Sequence, residues 1–212
     1  MTFKERRSQH ILQAAYTVFS RKGFEWSTMQ DVADEAELGV ATVFRYFPKK
    51  NKLIIAVMVD ILEARLPMFE RILASGGNCL QKFEMLLDHY LRISEPELLD
   101  SMKLLEAFEI YEAFSQEPME EIANYHKAYT NIVNVISEII KQGKEDQSIR
   151  QDLSIEETLG AISNIFGLFT RKLSFFESVR KGDLVILPIE QAIIVRNIFL
   201  DYLKPKKATQ DN

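Results

Sequence analysis

The chain has 212 residues, 47% hydrophobic and 27% charged, the balance of an ordinary soluble globule, with room for one large domain or a small one joined to a larger. Eight Gly and six Pro are few for this length, so turns are scarce and segments long, which predicts an all-α protein. The polar stretch Thr2–Gln9 lacks the apolar core of a signal peptide, and no apolar run approaches the roughly 18 residues of a membrane span. One cysteine, Cys79, cannot close an internal disulfide, so a cytoplasmic protein with no membrane attachment is expected.

A net charge of −5 by itself speaks against nucleic acid, but the charge is unevenly spread. Residues 1–52 carry nine Lys/Arg against six Asp/Glu, leaving 17 Lys/Arg against 25 Asp/Glu for the rest. A basic module therefore precedes an acidic one, which suits a first part that meets a polyanion and a second that does not.

From Glu5, the apolar residues Ile11, Leu12, Ala15, Val18 and Phe19 recur at helical spacing, and Arg21-Lys22-Gly23 closes that helix. Thr28, with Asp31 three residues on, is an N-cap for a short helix whose stripe is Met29, Val32, Ala33 and Ala36. A break over Glu37 to Val40 separates it from another short helix, Ala41 to Phe47, closed by Pro48. Asn51 then caps a long helix to Leu73, in which Pro67 predicts a kink, and Ser75-Gly76-Gly77-Asn78 is the clearest loop. Further helices are read at 79–94, 96–115, 118–145, 154–178 and 188–203, with Pro96, Pro118, Ser154 and Pro188 at their starts. The tail from Pro205 is polar, and the domain division is 1–50, 51–204 and 205–212.

Two short helices joined by a tight turn, after a longer one, make a helix-turn-helix over residues 28–47. On the last of them Val43 and Phe47 share the packing side, while Val40, Ala41, Phe44 and Arg45 share another. Exposed Val, Ala and Phe gain nothing in water, but in a major groove they meet thymine methyls while Arg meets guanine or phosphate. Lys49, Lys50 and Lys52 follow, at a helix N-terminus where the macrodipole disfavours cations. Nearby phosphates account for them, as does a plain solvated charged face. Arg6 and Arg7 can add backbone contacts or be ordinary surface residues.

The ordered set Ile11-Leu12-x-Ala14-Ala15 … Phe19 … Gly23-Phe24, Thr28-Met29-x-Asp31-Val32-Ala33 and Ala36-Glu37-Leu38-Gly39-Val40-Ala41-Thr42-Val43-Phe44-Arg45-Tyr46-Phe47 … Lys50 … Leu53 resembles the DNA-binding domain of the tetracycline-repressor (TetR) family. The match spans nearly all of residues 5–55. The resemblance implies an all-α homodimer with an N-terminal DNA-binding domain and a divergent C-terminal domain that binds an inducer and the partner subunit. By position it implies a recognition helix at Gly39 to Phe47, base or groove-wall contacts from Val40, Ala41 and Phe44, and phosphate contacts from Thr28, Thr42, Tyr46 and Lys50. Two positions depart from the family pattern. Glu37 stands where Gly is common, at a turn needing positive φ, and Phe44 stands where Tyr is common.

Elsewhere the signals are weaker. His10, His89 and His126 are isolated; His126 could face Glu106 or Glu109 in a metal site, but nothing in the spacing demands one, and no metal or cofactor is expected. Neither a nucleophile–base set nor a Gly-rich phosphate loop is visible, so no enzyme chemistry is supported. Phe108, Tyr111, Tyr125, Tyr129 and Phe166 are candidates to line an effector pocket, or else ordinary core. Such a pocket would take a hydrophobic or aromatic small molecule, cationic if the neighbouring Glu residues take part. The helices at 154–178 and 188–203 are apolar on most sides, which calls for a second buried face and hence a homodimer.

These readings converge on a ligand-responsive, DNA-binding repressor that leaves double-stranded operator DNA when a small effector binds. The alternative is a helical ligand-binding or interaction protein with a vestigial DNA head. A small helical enzyme is disfavoured.

Overall fold

Capping chemistry sets where the first helices begin. In the computed structural model, which describes residues 2–91, 96–115, 119–161, 164 and 188–206, helix α1 (Phe3–Trp26) starts on a capping box between Thr2 and Glu5. Its start lies two residues before the position expected from apolar spacing, because the cap is polar and leaves no hydrophobic signature. At Gly23 the backbone turns to φ 75°, breaking the helix where expected, and a last short turn continues to Trp26. Helix α2 (Met29–Glu35) starts on a second capping box, Thr28 with Asp31. Helix α3 (Val40–Tyr46) begins and ends one residue earlier than the sequence pattern places it, with Phe47 as its C-cap.

Helix α4 (Lys50–Ala74) runs on through Pro67. Asn51 lies inside its first turn instead of capping it, and its side-chain oxygen accepts from the Tyr111 hydroxyl at 3.1 Å. Then come α5 (Cys79–Leu91), α6 (Pro96–Phe114), α7 (Ile122–Glu145), a helical stretch at 155–161 and α8 (Pro188–Leu203). The start of α7 is later than the residue 118 expected from sequence: Glu121 sits at φ 70°, outside helical geometry, immediately before it. Most of the predicted helix at 154–178, with Phe166, lies outside the described residues, as does Pro118. Among the described residues every regular element is a helix, and none is long and apolar enough to cross a membrane.

The helices divide between two compact units. The first comprises Met1–Arg65 and Leu99–Thr130. There α1 packs on α2 and α2 on α3, over a core of Ile11, Ala15, Val18, Phe19, Val32 and Val43. The Gln9 amide donates to Asp60 at 3.0 Å and ties α1 to α4. An aromatic row continues this core: Phe19 against Phe24 at 5.4 Å, Phe24 against Phe108 at 6.2 Å, and Phe108 against Tyr125 at 4.7 Å between ring centroids.

The second unit comprises Leu66–Leu98 and Asn131–Asn212. Its core joins Phe69, Phe83, Leu86 and Leu87 to Ile139, Ile140 and Leu203. Buried Lys82 donates to the Leu73 carbonyl and the Gln142 side chain, both at 2.8 Å, so its charge is not left bare. Helix α8 packs on α5 through Phe199 on Phe83 and through Arg196, which pairs with Asp88 at 2.6 Å and Glu84 at 2.7 Å. Its other side is left open: Ile194 and Ile198 are 58% and 64% exposed, with Ile193 and Tyr202 beside them.

Candidate nucleic-acid interface

The turn between α2 and α3 is a Schellman motif. The Leu38 N–H donates to the Ala33 carbonyl at 2.8 Å and the Glu37 N–H to that of Asp34 at 3.1 Å. This pattern requires a left-handed residue at Glu37, and its φ is 53°. His10 Nε2 lies 2.8 Å from the Ala36 carbonyl, which makes that nitrogen the donor and ties α1 to the same turn. Its role is to hold the turn, a contact that nothing in the spacing of the histidines announces. At the start of α2, Asp31 accepts from Thr28 and pairs with Lys22 at 2.5 Å. Chiefly through Lys22, then through the Thr28 backbone, its carboxyl is held down at about 2.

Held by that turn, α3 buries only Val43 completely, against α2. Ala41, Phe44 and Arg45 are exposed, Phe44 to 45%, and Val40, Thr42 and Tyr46 are half-buried. The Arg45 guanidinium lies 5.8 Å from the Tyr46 ring centroid. Thr28 is exposed at the α2 N-cap, its hydroxyl 2.9 Å from Asp31. Phe47, expected beside Val43 in the core, is only half-buried.

The lysines at the α4 N-terminus have partners inside the chain. Lys50, half-buried, donates to the Glu25 carbonyl at 3.3 Å, and burial lowers its pKa against the opposing pull of Asp31 and Glu25. Lys49 pairs with Glu120, and Lys52 pairs with Glu121 at 2.8 Å and Glu120 at 3.2 Å. Sequence reasoning missed these carboxylates, which lie about 70 residues away along the chain; the adjacent acids Glu120-Glu121 before a helix were the only visible sign.

The predicted effector residues are spread over different environments. Phe108 is fully buried and Tyr125 nearly so, while Tyr129 is 38% exposed and stacks on Tyr125 at 6.3 Å. Burial, with Glu109 nearby, pushes the Tyr125 phenol up, and burial also raises Glu109. Tyr111 is half-buried and lines an open groove of about 290 Å³ with Phe24, Ala107, Ile110 and Phe114. Of the predicted set, Tyr111 alone among the described residues lines this groove. His126 faces Glu112 at 3.8 Å, neither Glu106 nor Glu109. Among the described residues, no three His, Cys, Asp or Glu side chains gather as metal ligands. Burial pushes the Cys79 thiol up to about 12, far from a reactive thiolate.

Residues 11–57 match the family described as bacterial regulatory proteins, tetR family. The transcriptional repressor KstR of Rhodococcus jostii is 28% identical over 124 residues, covering 56% of this chain and 55% of that protein. The chain thus spans about half the length of the curated relatives it matches. Among solved structures, a TetR transcription regulator from Haloarcula marismortui superposes with a TM-score of 0.74 at 17% identity, over 94% of this chain and 99% of that one. FadR of Bacillus subtilis, solved in complex with stearoyl-CoA, gives 0.67 at 14% identity, over 92% and 98%. These likenesses establish a shared fold along nearly the whole chain, while the match over residues 11–57 falls on the very helices that build the exposed face of α3. Residues 11–57 thus carry the helix-turn-helix head that the tetR family model describes, and the chain shares its fold with solved TetR regulators.

Proposed function

We propose that the protein is a ligand-responsive repressor that grips double-stranded operator DNA as a homodimer and leaves it when a small hydrophobic or aromatic effector binds. The observation that carries this reading is the outward side of α3, where Ala41, Phe44 and Arg45 stand exposed on a helix anchored from behind by Val43. Such a surface costs free energy in water and is recovered in a major groove. In this reading Val40, Ala41, Phe44 and Arg45 meet the groove, and Thr28, Thr42, Tyr46 and Lys50 hold phosphates. Residues 1–50 form the DNA head, residues 51–204 the effector and dimer domain, and 205–212 a tail.

The apolar outer side of α8 supports the dimer, and a dimer would place two copies of α3 about one turn of DNA apart. Phe108, Tyr111, Tyr125, Tyr129 and Phe166 are the proposed effector wall. That FadR was solved with stearoyl-CoA supports an apolar ligand for this fold. Effector binding would favour a C-terminal conformation that sets the two heads at the wrong spacing. The protein is a regulator and not an enzyme, and works in the cytoplasm.

Fluorescence anisotropy with duplexes from the region around its own gene tests this. Affinity should fall steeply with salt, as phosphate contacts displace counterions. Arg45→Ala should cost about 1–3 kcal/mol of binding and relax sequence preference, and Lys50→Ala should weaken all duplexes alike and flatten the salt slope by about 1. A salt-independent response, or no binding, rejects the reading.

A further inference from the structure

Lys49 and Lys52 are the cations nearest the end of α3 on its C-terminal side, apart from Lys50, which is half-buried against Glu25. Both point at the same turn. Glu120 accepts from Lys49 and Lys52 together, and Glu121 from Lys52 at 2.8 Å. The four side chains are partly or largely exposed, from 26% for Lys52 to 62% for Lys49, so water and salt reach the pairs and they are exchangeable rather than locked. The turn itself is under tension: Glu121 is a non-glycine residue at φ 70°, directly before the first residue of α7. Hydrogen bonds from Lys52 to Glu121 and Glu120 hold the Lys52 pKa up, and those from Lys49 and Lys52 hold that of Glu120 down.

A DNA phosphate approaching the α4 N-terminus needs these same ammonium groups. It finds two carboxylates already there, which it must displace or sit beside, and either outcome weakens its binding. We propose that the Glu120–Glu121 turn is a built-in competitor for DNA phosphate at Lys49 and Lys52, and that the α6–α7 end of the unit thereby sets the strength of the DNA grip. This rests on the reading of the head as DNA-binding and adds to it the residues that modulate the grip. The turn is joined directly to α7, which carries Tyr125 and Tyr129, so a shift of α7 alters the competitor without touching α3.

The experiment uses the full-length protein and a mixed-sequence duplex, since the phosphate contribution does not depend on sequence. Anisotropy titrations over a range of salt compare the wild type, Glu120→Gln/Glu121→Gln, Lys49→Gln/Lys52→Gln and the quadruple variant. Removing the carboxylates should tighten low-salt binding by about three- to ten-fold. It should also steepen the slope of log affinity against log salt by about 1–2, because freed lysines each displace close to one counterion with no carboxylate left to recharge. In the Lys49→Gln/Lys52→Gln background the same glutamate changes should do almost nothing. Equal gains in both backgrounds would reduce the effect to net charge and overturn the competitor. Weaker binding without the carboxylates would make them positioning groups for the lysines and overturn it as well. A wild type that binds no duplex at low salt rejects the DNA-binding reading itself, whereas a binding wild type with unresponsive glutamates rejects the competitor alone.

Discussion

Glu37 shows what a single residue carries in this head. The Schellman hydrogen bonds at Leu38 and Glu37 demand a left-handed C′ residue, and an L side chain at φ 53° pays about 1–2 kcal/mol for it. Glycine adopts the conformation without that penalty but loses more freedom on folding. The difference leaves Glu37→Gly more stable by about 0.5–1 kcal/mol, measured as a shift in urea midpoint at constant m-value. A loss of stability instead would mean that the Glu37 side chain contributes more to the turn than its backbone costs. The positive φ at this position was implied by the resemblance to the family, and the two turn hydrogen bonds supply its physical cause.

At the scale of elements, α7 depends on a close approach that propensity alone would misjudge. Gly143 lies where an added Cβ would overlap Cβ and Sγ of Cys79, with Ile149 Cδ1 at 3.1 Å. In an exposed helix, Gly→Ala gains about 1 kcal/mol. Here the overlap with a buried side chain outweighs that gain, and Gly143→Ala should destabilise by about 1–3 kcal/mol, read by urea denaturation followed through helical circular dichroism. A more stable variant would show that Cys79 can move aside. The same packing excludes water from the Cys79 thiol and accounts for its raised pKa. None of this is legible from Gly143 in the chain, since the partner is more than 60 residues away and nothing local marks the crossing.

For the molecule as a whole, the open side of α8 is what the proposed dimer rests on. Ile194 and Ile198, with Ile193 and Tyr202, form an apolar face opposite the Arg196 ion pairs that bind α8 to α5. Burying each isoleucine against a partner is worth up to about 1.5–3 kcal/mol, counted on both subunits and set against the cost of association. Ile194→Glu/Ile198→Glu should therefore shift the protein to monomer in light scattering after size exclusion, with helicity kept and tight DNA binding lost. A variant that stays dimeric would place the interface elsewhere.

By itself the sequence determined the helix-turn-helix, the Thr28 cap and the exposed Ala41, Phe44 and Arg45, because each depends on residues within a few positions of one another. It did not determine the half-burial of Val40, and the left-handed turn at Glu37 followed from the family resemblance. Among the described residues, apolar periodicity also marked α4, α5, α6 and α8 to within a few residues, missing the start of α7 where Glu121 leaves helical geometry. Only the tertiary structure decided which charges meet. It paired Lys49 and Lys52 with Glu120 and Glu121, set Asn51 under Tyr111, and placed His126 opposite Glu112 rather than Glu106 or Glu109. Such contacts join residues far apart along the chain, and a charged side chain at the surface carries no periodic signal that names its partner.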